Sequence, residues 1–311
     1  MGAAIDPLAA GPAGTDPGRF TVGWCDARGF RQAFVRVGVG GQPLLLVHGW
    51  PETMRIWWRV IAPLAAAGFE VIVPDLRGFG ASDPGPDGFG DVPAHSRDLA
   101  ALVGEHLGHE RVVVAGGDLG GPVIQDLSLR FGGLAERMVL FNSPLPYDKG
   151  AMAGLRTSPR EVRDYFVRQG TDADGLAAEL DTADKRRRYI ATFYTSRLWA
   201  HPGAFDEDAV AFHTEPFGEG AALRESFRAY EATFSEAARS EAAMLGPNPT
   251  HTLVLFGPSD HVIMPDFDKM AAVVFPDRVG PFLLRDCGHF VPWEQPSLFV
   301  GAVRSFCRDL L

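Results

Sequence analysis

Asp118 is the residue whose setting says most about chemistry. It lies in Gly116-Gly117-Asp118-Leu119-Gly120, directly after the apolar run Val112-Val113-Val114-Ala115. A small-x-nucleophile-x-small pattern after a strand is a nucleophile elbow, where glycines leave room for a sharp turn into a helix. Serine is the usual occupant, and aspartate changes the chemistry. A serine alkylated at saturated carbon becomes an ether, which a simple base cannot hydrolyse. An aspartate alkylated there becomes an ester, which an activated water can open. The residue type points to attack on the saturated carbon of an epoxide or an alkyl halide, with release through an ester.

Three further segments supply what such chemistry needs. Asp260, in Phe256-Gly257-Pro258-Ser259-Asp260, and His289, in Cys287-Gly288-His289-Phe290, each follow an apolar run. The acid would keep one ring nitrogen protonated and leave the other free to take a proton from water. His48-Gly49-Trp50-Pro51 follows Leu44-Leu45-Leu46-Val47. The backbone N–H of Trp50, with that of Leu119, would form an oxyanion hole for ester hydrolysis. His48 is read as part of the turn, not as a base.

The elements that position these residues alternate. Phe34–Val37, Leu44–Val47, Val71–Val73, Val112–Ala115 and Met138–Phe141 read as strands, and Ile56–Ala66, His95–Leu107 and Pro122–Phe131 as helices. Short buried strands separated by helices predict a mostly parallel sheet covered on both faces. The rhythm stops after Asn142, and from about Pro144 to Leu245 the chain is helix-like and aromatic-rich. It resumes with a strand at Thr252–Phe256, a helix near Asp266–Val274, a strand at Phe282–Leu284 and a last helix from Ser297. The expected organisation is a disordered tail over residues 1–18, an α/β core over 19–143 and 246–311, and a helical cap inserted over 144–245.

The order nucleophile, acid, histidine is that of the α/β-hydrolase fold. The set HGWP, DLRGFGASD (Asp75 to Asp83), GGDLGG and GHFVPWEQP (Gly288 to Pro296) resembles the Asp-nucleophile epoxide hydrolases of that fold over nearly the whole chain beyond the tail. The resemblance implies cofactor-independent hydrolysis of a small apolar epoxide to a vicinal diol. It also implies two cap tyrosines that hold the epoxide oxygen and donate the proton for ring opening. Tyr230 resembles the second. The position expected for the first is Val162, so the chain has one such tyrosine or recruits Tyr165 or another. A second departure is Gly117, where the family often has histidine. Trp50 and Trp199 are candidates to touch substrate.

Two alternatives stand beside this reading. A haloalkane or haloacid dehalogenase would use the same Asp-His-Asp set, but Leu119 occupies the place of the Trp or Arg common after the nucleophile in such enzymes. The other is a hydrolase fold kept as a receptor for a small ligand, against which the intact triad argues. The 311 residues are 46% hydrophobic and 22% charged, with a net charge of −10. That balance argues against nucleic acid or an anionic membrane as partner. Cys25, Cys287 and Cys307 have no metal-like spacing and suit a reducing cytoplasm. The other histidines are scattered without metal-ligand spacing, and Lys185–Arg188 reads as a solvated helix face. No secretory signal or membrane span is expected, and a homodimer is left open.

Overall fold

The computed structural model describes residues 14–26, 28–145, 150–158, 164–244 and 246–311. Eight strands, β1 (Val22–Cys25), β2 (Gln32–Val37), β3 (Gln42–Val47), β4 (Phe69–Pro74), β5 (Val112–Gly117), β6 (Ala135–Phe141), β7 (Thr252–Phe256) and β8 (Arg278–Leu283), form one sheet. Their order is β1-β2-β4-β3-β5-β6-β7-β8. The pairings of β1 with β2 and of β2 with β4 are antiparallel, and every later pairing is parallel. Leu44–Val47 and Val112–Ala115 are wholly buried. Apolar runs without alternation are what a strand covered on both faces requires.

Outside the region between β6 and β7, helices α1 (Ile61–Ala66), α2 (Val92–Ala100) and α3 (Gly120–Arg130) connect the first strands. Between β6 and β7 the described residues hold six α-helices and no strand: α4 (Asp164–Thr171), α5 (Ala173–Glu179), α6 (Ala183–Thr195), α7 (Glu207–Thr214), α8 (Gly220–Ser226) and α9 (Arg228–Phe234). Then come α10 (Phe267–Val274), α11 (Val291–Glu294) and α12 (Pro296–Phe306). Helices α4–α9 lie over the ends of the parallel strands. Trp50 Nε1 donates to Ser226 Oγ at 3.1 Å, Arg55 Nη1 to the Phe212 carbonyl at 2.7 Å, and the Tyr194 hydroxyl to the Pro51 carbonyl.

Several boundaries differ from those expected. The helix expected over Ile56–Ala66 is a 3-10 turn, Met54–Trp57, capped by Thr53, followed by α1. Pro63 has no N–H to give the Arg59 carbonyl, so it is tolerated only in the first turn of a helix. β1 was not anticipated, being four residues with an internal glycine. β8 begins four residues earlier than expected; it carries Pro281, which an edge strand tolerates. Of the tail expected to be disordered, residues 1–13 lie outside the described residues. Pro17–Arg19 instead form a 3-10 turn capped by Asp16, whose carbonyl accepts from Trp58 Nε1 at 2.9 Å.

Candidate active site

The loops after β3, β5, β6, β7 and β8 meet at the C-terminal edge of the sheet, where ligands of open parallel sheets bind. Asp118 directly follows β5 with φ 45°, a left-handed conformation rare outside glycine. Its N–H donates to the Asn142 carbonyl at 2.9 Å. Two glycines make the turn fit. A Cβ on Gly49 would lie 2.4 Å from the Asp118 Cβ, and one on Gly117 would lie 2.2 Å from the Phe141 ring. Phe141 thus fills the space beneath the elbow where a histidine was the comparison. Trp50 donates its backbone N–H to Asp118 Oδ1 at 2.7 Å. Leu119 caps α3 and lines the same cavity as Asp118.

His289 lies between two carboxylates. Its Nδ1 is 2.8 Å from Asp260 Oδ2 and its Nε2 is 3.3 Å from Asp118 Oδ2. The second distance exceeds a charge-assisted hydrogen bond, usually about 2.7–2.9 Å, and is read as a charge contact. Asp260 is held by donors only. Oδ1 accepts from the N–H of Val262 and Ile263 at 2.7 and 3.1 Å, and Oδ2 accepts from Asn142 Nδ2 at 2.9 Å as well as from the imidazole. That set fixes a proton on Nδ1 and turns Nε2 toward Asp118. Burial works to lower the His289 pKa, but the charges of Asp260 and Asp118 outweigh it and hold it well above the usual value. Glu294 shapes the loop, accepting from Gly288, His201 and Phe290 N–H groups at 2.7 to 2.9 Å.

Two residues of the site, Asn142 and Glu52, carried no sequence signal for their roles, whereas His48 holds the turn as expected. Asn142 Oδ1 accepts the Gly257 N–H at 2.8 Å while Nδ2 reaches Asp260, joining the ends of β6 and β7. Its only sequence signal is its place where the strand-helix rhythm stops. Glu52, just after the HGWP turn, is buried and accepts the Gly49 N–H at 2.6 Å. Burial pushes its carboxyl up to about 7, against the attraction of His289 and with the repulsion of Asp118. His48 places Nδ1 2.8 Å from the Gly49 carbonyl and Nε2 3.0 Å from the Leu76 N–H. One donor and one acceptor are the demand of a neutral ring, and burial lowers its pKa to about 4.

The helices above the sheet close a cavity of about 260 Å³ whose lining includes Asp118, Leu119, Tyr165, Phe166, Tyr230 and Ile263. Tyr165 stacks on Trp50 at 5.6 Å between ring centroids, and Tyr230 meets Trp50 edge-on at 5.5 Å. Val162 lies outside the described residues. Trp50 and Trp199, the tryptophans considered for substrate contact, are not among the lining residues. The Trp50 indole is buried behind Tyr165 and gives its N–H to Ser226, and the Trp199 ring packs 4.7 Å from His289. Both act as backing walls of the cavity.

The profile of the α/β hydrolase fold matches residues 42–296. The chain belongs to that family. A soluble epoxide hydrolase of Corynebacterium sp. (strain C12) is 28% identical over 288 residues, covering 91% of this chain and 95% of that protein. Haloalkane dehalogenase 2 of Mycobacterium bovis is 28% identical over 287 residues, covering 90% and 92%. Among solved structures, epoxide hydrolase CorEH without ligand superposes with a TM-score of 0.80 at 26% identity, covering 94% of this chain and all of that one. This α/β hydrolase therefore has full-length relatives named as an epoxide hydrolase and as a haloalkane dehalogenase. No helix among the described residues is long and apolar enough to cross a membrane.

Proposed function

We propose that this protein hydrolyses an epoxide to a vicinal diol. The observation that carries the reading is one cavity lined by the Asp118 carboxylate and by two cap tyrosines, Tyr165 and Tyr230. An Asp118 oxygen attacks an epoxide carbon, the C–O bond breaks, and a tyrosine proton passes to the leaving oxygen. The product of this step is a hydroxyalkyl ester. Water, deprotonated by His289, then adds to the carboxyl carbon of that ester. The resulting oxyanion is held by the Trp50 N–H, which already bonds Asp118 Oδ1, and by the Leu119 N–H. Collapse of this intermediate expels the diol oxygen, which takes the proton of the new carboxyl group and so restores the carboxylate. The tyrosinate left by ring opening regains its proton from the imidazolium. Asp260 keeps the imidazole oriented throughout.

The haloalkane dehalogenase among the relatives makes halide displacement the rival. It needs N–H donors around a departing anion and no acid. The Trp50 indole N–H, one candidate donor, is engaged by Ser226 at 3.1 Å. Turnover of an aryl epoxide beside a bromoalkane tests the choice, with the epoxide converted and the bromoalkane left. Conversion of the bromoalkane alone would replace this reading with the dehalogenase. In heavy-oxygen water, repeated turnovers should leave label in the Asp118 carboxylate. Label in diol but never in Asp118 would remove the ester route.

A further inference from the structure

A second cavity adjoins the one that holds Asp118. It encloses about 540 Å³ against about 260 Å³, and Val92, Pro122, Pro144, Ala229 and Thr233 line both. Shared lining gives the two spaces a common wall, and that wall is where a neck between them would lie. On the cap side of the neck stand Ala229 and Thr233, four residues apart on α9 and so on one face, with Tyr230 beside them. The inner chamber alone falls below the usual range of small-molecule pockets, about 300–1,000 Å³. The two together fall within it.

The outer chamber is mostly apolar, with the Gln125 amide oxygen as a buried acceptor that has no partner among the described residues. Leu145, Ala232, Ala243 and Met244 line it. Its carboxylates are already bonded within the protein. Asp91 accepts from the Ser240 N–H and hydroxyl at 2.7 and 2.8 Å, and Glu241 accepts from Arg130 at 2.7 Å and pairs with Arg97. Arg239 gives Nε–H and Nη2–H to the carbonyls of Ala232 and Thr233. These bonds, with that of the Met244 N–H to Asp126 Oδ1 at 2.7 Å, pin the segment after α9 to α2 and α3 as a built wall.

We infer that the outer chamber receives an unbranched apolar arm on the epoxide, passed through the Ala229–Thr233 neck while the ring sits at Asp118. The inference rests on the epoxide hydrolase reading and names its substrate class: long-chain terminal or near-terminal alkyl epoxides in preference to short ones. Ala229 and Thr233 are then the residues that set chain-length specificity.

The test compares 1,2-epoxydecane with 1,2-epoxybutane in the full chain and in Ala229→Phe and Ala243→Phe, which narrow the neck and fill the outer chamber. The parent should favour the longer epoxide in kcat/KM by about tenfold or more, since each buried methylene adds transfer free energy. Each variant should cut that ratio at least fivefold, with thermal unfolding confirming that it is folded. A parent without preference, or folded variants that keep the parental ratio, would overturn the inference and leave the epoxide reading intact. A parent that opens neither epoxide would remove the epoxide reading. The chamber is then judged by decanamide against butanamide binding, followed through tryptophan fluorescence. The same preference, lost in the same variants, supports the chamber, and equal binding overturns it.

Discussion

Removing the two cap hydroxyls is the perturbation that most directly probes the proposed ring opening. Tyr165 and Tyr230 line the cavity of Asp118 with ring centroids 6.2 Å apart and planes at 83°. Substitution by phenylalanine keeps both rings against Trp50 and removes only the donors. A hydrogen bond to a developing alkoxide is charge-assisted, worth about 1.5–3 kcal/mol. Each single change should therefore slow alkylation about 10- to 150-fold, at about 1.36 kcal/mol per factor of ten. The double change should cost about 10²- to 10⁴-fold, the usual range of general acid catalysis. Single-turnover mixing in a His289→Gln background isolates the alkylation step, since the ester then accumulates. Thermal unfolding of the variants should stay near the parent. If the folded double variant forms ester from an epoxide at the parental rate, the acid assignment is wrong, and a bromoalkane run in parallel shows whether the loss depends on the leaving group.

Three other outcomes are expected. His289→Gln should accumulate an adduct of substrate mass on the peptide carrying Asp118, seen by mass spectrometry; parental turnover would remove His289 from the mechanism. Asp118→Asn removes a carboxylate that, with Asp260, raises the His289 pKa, so the imidazole should titrate lower than in the parent by NMR; an unchanged or higher value would mean that Asp118 does not set it. His48 binds a proton at pH 6.5 when unfolded but at about 4 when folded. Between those values the unfolded state holds more protons, so this residue's contribution is complete above pH 6.5 and is lost as pH falls toward 4. His48→Asn should then narrow its stability deficit against the parent by about 2 kcal/mol between pH 7 and pH 5 in urea unfolding, and parallel curves would refute this.

The legible part of the site was the part written locally. Asp118 and Asp260 each follow a buried strand and His289 follows the apolar edge strand β8, so apolar runs and glycines located them. The mostly parallel sheet was legible for the same reason, since β3 to β7 each contain an apolar run. Asn142 and Glu52 were not legible in their roles. Asn142 meets Asp260 across 118 positions of chain, and nothing near it in sequence announces that contact. The pKa of Glu52 follows from burial beside Asp118 and His289, which a turn sequence does not encode. Tyr165 was ambiguous because spacing pointed to Val162. The structure sets its ring on Trp50 and at the cavity wall, which one helical register decides.

These buried neighbours bear on why the proposed steps run in order. His48 is neutral by its hydrogen bonds, and burial draws Glu52 toward its neutral form near pH 7. The charge of the site is then carried chiefly by Asp118, His289 and Asp260. With Asp118 ionised, both carboxylates raise the imidazole pKa against burial, which favours a protonated ring that is no base. Ester formation on Asp118 cancels one of those two charges. Burial then weighs more, the pKa of His289 falls, its proton passes to the tyrosinate left by ring opening, and the neutral ring can take one from water. Asp260, held by four donors, keeps Nδ1 protonated and leaves Nε2 as the basic atom. In the proposed sequence the base is thus suppressed before alkylation and released by it, so that water is activated only when there is an ester to hydrolyse.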